Sequence, residues 1–148
     1  MDSRFKGATA RNYLINEPSF RRYKMKAAIL VLSDPNHGQE EALGRVFNAL
    51  ATAFDFKENG ADVKVIFNGT GTRWIAELAK PENPVHALFE AVKDTIAGVS
   101  CGCADVFGSA EEVETSGFDY LTENAVPGTR GLPSVHKLAT EGYTILTF

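Results

Sequence analysis

Apolar and polar residues follow one another along the chain in blocks that predict strands and helices in turn. Residues 26–32 form a continuous apolar run of strand length, which is typical of a strand buried on both faces. Residues 39–59 carry apolar side chains at helical spacing and predict one long amphipathic helix. Its apolar stripe consists of Leu43, Val46, Phe47, Leu50, Ala53 and Phe54. Residues 62–67 are rich in β-branched side chains and predict a second strand.

The alternation continues through the rest of the chain. Further helices are predicted for residues 73–78, 85–96, 109–116 and 135–141. Further strand segments are predicted within residues 98–106, at 118–121 and at 143–148. Because alternating strands and helices favour right-handed βαβ units, we expect an α/β fold. Its architecture would be a three-layer α/β/α sandwich with a mostly parallel sheet of about five strands.

Charge divides the chain into two parts. Residues 1–24 hold six of the 15 basic residues but two of the 19 acidic ones, although the whole chain has a net charge of −4. We interpret residues 1–24 as a basic N-terminal arm or extension, with Phe20 and Tyr23 packing on the domain or on a neighbouring subunit. Residues 25–148 would form the folded domain. An acidic domain argues against nucleic acid as a partner, since phosphate binding needs a clustered basic surface.

The sequence also bears on location. It has no run of about 20 apolar residues that could cross a membrane. The N-terminus lacks the apolar core of a secretory signal. Two cysteines so close together cannot form a long-range disulfide framework, so we expect a reducing, cytoplasmic location and no membrane partner.

Both cysteines lie in residues 97–108, between a strand or strand end and a helix predicted to start at Ser109. Ligands of open α/β sheets bind at that edge, where the strands end. The partial positive charge of a helix N-terminus favours a thiolate, so Cys101 and Cys103 are candidate nucleophiles. The alternative is that they are two small buried apolar residues, since free cysteine is often buried.

Two loops should meet the cysteines at this edge. Residues 33–38 and 68–72 follow the first two strands and are rich in turn-forming residues. They match no complete nucleotide-binding motif, so their glycines are explained either by tight turns or by a bound anion. The candidate ligand-pocket residues are Ser33, Asp34, Asn68, Gly69, Thr70, Gly71, Trp74 and Phe107.

Other chemistry for the cysteine pair stays open. A C-x-C disulfide would be strained and easily reduced, which would make a redox couple. Metal binding would need His37, His86 or His136 as further ligands, and these histidines lack a ligand spacing, so we expect no metal and no cofactor.

Four segments in order resemble the DsrE/DsrF-like family, which includes sulfur-relay subunits related to TusD. They are the first strand with S-D-P, then N-G-T-G-T-R-W-I-A-E-L, K-D-T-I-A-G-V-S-C-G-C-A-D-V-F-G and the ending G-L-P-S-V-H-K-L-A-T-E-G-Y-T-I-L-T-F. The resemblance runs from about Met25 to Phe148. It implies a flavodoxin-like fold, assembly into homo-oligomers (trimers or hexamers), and a cysteine that accepts sulfur as a persulfide and passes it to a partner protein.

Carried over to this chain, the resemblance makes Cys103 the sulfur acceptor, desolvated by Phe107 and Trp74. Cys101 becomes the resolving or assisting thiol. Two positions depart from the family pattern: Cys101 is one residue closer than in the C-x-x-C of relatives, and Leu132 stands where relatives often have histidine. The closer spacing argues against a simple dithiol switch.

Three functional hypotheses therefore stand at this point. The first is a sulfur-relay or persulfide carrier that uses sulfur donor and acceptor proteins, a sulfurtransferase-type activity. The second is a small-ligand or nucleotide-binding module that uses the two loops. The third is a structural subunit whose cysteines are inert.

Overall fold

The computed structural model describes residues 24–148. Within them, five strands form one sheet in which every neighbouring pair is parallel. The strands are β1 (Lys26–Val31), β2 (Asp62–Phe67), β3 (Ile96–Ser100), β4 (Tyr120–Leu121) and β5 (Thr144–Thr147). The predicted α/β class and strand number are confirmed. The predicted basic arm lies outside the described residues except for Lys24, and so do Phe20 and Tyr23.

The connections between strands are mostly helical. The helices are α1 (Gln39–Glu58), α2 (Trp74–Leu78), α3 (His86–Val92), α4 (Cys101–Val106), α5 (Ala110–Ser116) and α6 (Val135–Thr140). Two short 3₁₀ turns, Gly69–Arg73 and Lys93–Thr95, precede α2 and β3. None of these helices combines the length and the apolarity that crossing a membrane requires.

The order of the strands across the sheet is β4-β3-β2-β1-β5. From β1 to β4 the chain moves steadily in one direction, and helices α1 to α5 contribute buried residues to one core. It then crosses back past the whole sheet to β5, and α6 packs its Leu138 on the opposite face. The sheet is therefore the middle of three layers, with most of the helical mass on one side.

Small residues set the packing of α1 on the sheet. Its buried positions are Ala42, Val46, Ala49, Leu50 and Ala53. The predicted stripe was wrong at two positions, because Phe47 is 50% exposed and Phe54 is 41% exposed. The buried stripe is narrower than predicted, and Phe47 and Phe54 lie beside it, about 100° further round the helix than Val46 and Ala53.

The boundary before β3 also differs from the prediction. The predicted helix over residues 85–96 ends at Val92, and Ile96 is the first residue of β3. An apolar residue at this position satisfies a helical stripe and a buried strand equally well. The strand then pairs with β2 through a register shift between Val65 and Ile66.

Candidate thiol site at the carboxyl edge of the sheet

The loops that follow β1 and β2 are joined at the carboxyl edge of the sheet. Thr70 donates a hydrogen bond from Oγ1 to the carbonyl oxygen of Leu32 at 3.1 Å. Gly71 lies so close to β1 that a Cβ there would overlap the carbonyl oxygen of Val31. The two loops therefore meet at this edge, where the sequence placed them, and together form one platform.

Arg73 connects this platform to the cysteine-containing helix. Its guanidinium lies 2.8 Å from the carboxylate of Asp34 and donates through Nε to the carbonyl oxygen of Phe107 at 3.2 Å. It also stacks on the Phe107 ring, 5.8 Å from the ring centroid. No sequence pattern indicated a role for Arg73, since its partners are far away along the chain.

The cysteines belong to a helix that the sequence pattern did not predict. Strand β3 runs directly into α4, and Ser100 caps the helix by accepting a hydrogen bond from the Cys103 N–H at 3.3 Å. Cys101 and Cys103 are thus the first and third residues of α4. The predicted helix start at Ser109 belongs to the next helix, α5.

Cys103 is half-buried and faces the platform. Its Sγ lies 3.8 Å from Oδ1 of Asn68, a distance at which a thiol donates a weak hydrogen bond. Asn68 directly follows β2, so the second loop and the third strand end meet at this thiol. The structure therefore brings Cys103 and Asn68 together.

Cys101 lies in a different environment. It is only 2% exposed, and burial raises the pKa of its thiol above the ordinary value, although the guanidinium of Arg130 opposes this effect. The carboxylates of Asp105 and Glu114 raise the pKa further. Cys101 is therefore held as a neutral thiol to higher pH than a free cysteine.

The two sulfur atoms point away from each other. Side chains two residues apart in an α-helix diverge by about 200°, so they do not share a face. Cys103 points towards Asn68, whereas Cys101 lies on the face of α4 that it shares with Asp105, four residues further along. Both cysteines are free.

The segment 126–132 covers the face of α4 on which Cys101 lies. Gly102 donates its N–H to the carbonyl oxygen of Gly131 at 2.8 Å. Arg130 binds Asp105 through two hydrogen bonds of 2.8 and 2.7 Å, and its guanidinium stacks on the Tyr120 ring at 5.3 Å. Hydrogen bonds of 2.8 and 2.9 Å between Asn124 and Leu132 close the base of the segment.

The strand order places α4 at a distinctive point of the sheet. The chain leaves β3 through α4 towards one face of the sheet, and it leaves β4 through segment 126–132 and α6 towards the other. Adjacent strands whose connections separate in this way create a topological switch point, where ligands of open α/β sheets bind. The cysteines lie at that point.

Other predicted pocket residues are used internally. Trp74 is buried in the core, and its indole N–H donates to the carbonyl oxygen of Ser33 at 2.9 Å. Thr70 and Asp34 are bound to Leu32 and Arg73 as described. Two cavities adjoin these loops: one of about 180 Å³ beside Arg73 and Ser109, and one of about 320 Å³ beside Leu32 and Ser33. Only the second reaches the roughly 300 Å³ at which small-molecule sites begin. Several of the predicted pocket side chains nevertheless make contacts that stabilise the edge.

Histidines are dispersed over the described residues. His86 bonds through Nδ1 to the carbonyl oxygen of Leu78 at 2.7 Å, whereas His37 and His136 are exposed on separate elements. Across residues 24–148, no three side chains among histidine, cysteine, aspartate and glutamate are grouped to hold a metal ion.

The fold and the position of the cysteines define a class of protein: a parallel α/β sandwich with cysteines directly after its third strand. The DsrE/DsrF-like family profile matches residues 25–148. The chain belongs to this family, and the expected resemblance is confirmed.

One relative is also informative. A Methanocaldococcus jannaschii protein named "Uncharacterized protein MJ0733" is 32% identical over 90 residues, which cover 61% of this chain and 73% of that protein. No solved structure matches the chain significantly.

Proposed function

We propose that this protein is a cytoplasmic sulfur carrier in which Cys103 holds the sulfur as a persulfide. The observation that supports this most directly is a half-buried thiol, 3.8 Å from Asn68 Oδ1, at the switch point of a DsrE/DsrF-like fold. A half-buried sulfur is reachable by a partner yet partly shielded from water. The thiolate is the reactive form of a cysteine in such an exchange.

The reaction is an exchange without net oxidation. The Cys103 thiolate attacks the outer sulfur of a donor persulfide, R–S–SH. The donor S–S bond breaks, R–S⁻ leaves, and Cys103–S–SH forms. An acceptor thiolate then takes the outer sulfur in the same way and regenerates Cys103. Donor and acceptor proteins are the partners of this proposal.

Mass spectrometry of the intact protein tests the proposal. After incubation with a low-molecular-weight persulfide, the wild type and Cys101→Ser should each gain one sulfur, about 32 Da. Cys103→Ser should gain none. A sulfur on Cys103→Ser, or none on the wild type, would contradict the assignment.

A homo-oligomer, either a trimer or a hexamer, is a further part of the proposal. The exposed rings of Phe47 and Phe54 lie two helical turns apart on α1 and are the first side chains to substitute. Sedimentation velocity of the wild type and of a Phe47→Ser, Phe54→Ser variant measures the mass. A wild type that sediments as a monomer would contradict this part.

The ligand-binding alternative receives less support, because the side chains of Ser33, Asp34 and Thr70 are hydrogen-bonded within the protein. A melting shift with a nucleotide that persists after substitution of both cysteines would favour it.

A further inference from the structure

Segment 126–132 holds α4 at the residue between the two thiols. The Gly102 N–H is bound to Gly131, and a Cβ on residue 102 would lie 2.6 Å from Cδ1 of Leu132 and 3.2 Å from the Gly131 carbonyl oxygen. The helical backbone would accept alanine, but the added Cβ would displace the Leu132 side chain of the segment. The segment and the first turn of α4 are fitted to each other.

Arg130 fastens the segment one turn further along the same helix. Its paired hydrogen bonds to Asp105 place the guanidinium over the face that Asp105 shares with Cys101. Stacking on Tyr120 ties the same side chain to β4. Cys101 lies on this face and is 2% exposed, whereas Cys103 faces Asn68 on the other side of α4.

This separation matters for a persulfide on Cys103. If the Cys101 thiolate reached the inner sulfur of Cys103–S–SH, a Cys101–Cys103 disulfide would form, the S–S bond of the persulfide would break, and HS⁻ would leave. No external oxidant is needed, because the persulfide supplies the oxidised sulfur. The step requires the first turn of α4 to unwind, since the two side chains diverge in a helix.

We propose that Arg130 is a positioning residue that keeps Cys101 away from Cys103, so that a persulfide on Cys103 is transferred rather than discharged as sulfide. The inference rests on the proposed function of Cys103. In this arrangement Cys101 is a buried thiol kept apart from the sulfur acceptor. The two cysteines do not act as a redox couple while segment 126–132 is bound to α4.

The test measures two reactions on the full chain. The first is the release of sulfide from protein loaded with a low-molecular-weight persulfide. The second is closure of the Cys101–Cys103 disulfide by diamide in protein that was never loaded. The variants are Arg130→Gln, Arg130→Lys and Gly102→Ala. The matched control is Arg45→Gln, which removes an exposed ion pair on the distant helix α1.

Arg130→Gln should speed both reactions about two- to fivefold, the range expected when an exposed ion pair is lost. The rates of Arg130→Lys should lie between those of Arg130→Gln and the wild type. Lysine keeps the positive charge but cannot make the paired hydrogen bonds to the carboxylate. Gly102→Ala should speed both reactions as well, since it displaces the segment. In a Cys101→Ser background, Arg130→Gln should hold its persulfide as long as the wild type does.

Two results would overturn the inference. One is that Arg130→Gln closes the disulfide no faster than the wild type and the control Arg45→Gln. The other is faster sulfide release by Arg130→Gln even without Cys101. A wild type that takes up no persulfide would refute the proposed function alone, because the diamide reaction still reports whether Arg130 separates the thiols.

Discussion

The Sγ of Cys103 lies 3.8 Å from Oδ1 of Asn68, which joins the end of β3 to the end of β2. A neutral amide at this distance accommodates both the thiol and the thiolate, because it can accept a hydrogen bond from one and donate to the other. We therefore expect the residue at position 68 to influence the reactivity of Cys103.

Asn68→Asp should slow alkylation of Cys103 by iodoacetamide at pH 7.5. A carboxylate at the same position disfavours the thiolate, and a thiol pKa higher by one leaves about tenfold less thiolate to react. Asn68→Ala is the control, because it removes the amide without adding charge and should change the rate less. Equal rates for the two variants would show that the amide position does not influence the sulfur.

The two cysteines should react in a fixed order. Cys103 should be alkylated first in the folded protein, because Cys101 is 2% exposed and burial raises the pKa of its thiol. Timed labelling of Cys101→Ser and Cys103→Ser, each read by mass spectrometry, measures the two rates. In urea the two rates should become similar. Faster labelling of Cys101 in the folded state would contradict the described burial.

Tyr143 should make stability depend on pH in the alkaline range. Burial and the 2.8 Å hydrogen bond to Asp62 raise the pKa of Tyr143 to about 12. Because the folded value exceeds the unfolded one, about 10, this stability is fully present below pH 10 and is lost as pH rises towards 12. Urea denaturation at several pH values should show the decline.

Tyr143→Phe provides the comparison for that decline. It should lose about 1.5–3 kcal/mol at neutral pH, the usual value of a hydrogen bond to a charged group. Its stability should then fall less steeply above pH 10. If the stability of Tyr143→Phe fell as steeply above pH 10 as that of the wild type, groups other than Tyr143 would cause the alkaline loss of stability.

Gly71→Ala should destabilise the fold by about 1–3 kcal/mol, the usual cost of forcing an extra methyl into packed structure. The added Cβ meets the backbone of β1 at Val31, which cannot move without breaking the platform. Gly44→Ala is the matched control, since its Cβ would meet nothing within 4 Å and alanine favours a helix. Urea midpoints of the two variants should therefore move in opposite directions.

The sequence predicted strands better than the elements around the cysteines. Strand β2 was predicted with its observed bounds, because a short β-branched run between turn formers leaves few alternatives. Helix α4 was missed, since Cys101–Val106 is too short to show a helical period and contains glycine and valine. It forms because Ser100 caps it and segment 126–132 packs on it.

The ion pairs at the edge could not have been predicted from local pattern. Arg73 and Asp34 are 39 residues apart, and Arg130 and Asp105 are 25 apart. Only the strand order brings these partners together. The candidate nucleophile was thus visible in the sequence, whereas the residues that hold its surroundings in place became visible only with the topology.

Strand β1 pairs with β2 on one side and with β5, the last strand along the chain, on the other. During synthesis on the ribosome, β1 is therefore made long before β5, and one of its edges stays unpaired until β5 has been translated. Until then the exposed edge of β1 is open to other nascent chains, a hazard common to sheets built from distant segments. We expect productive folding in the cell to depend on how fast translation reaches β5.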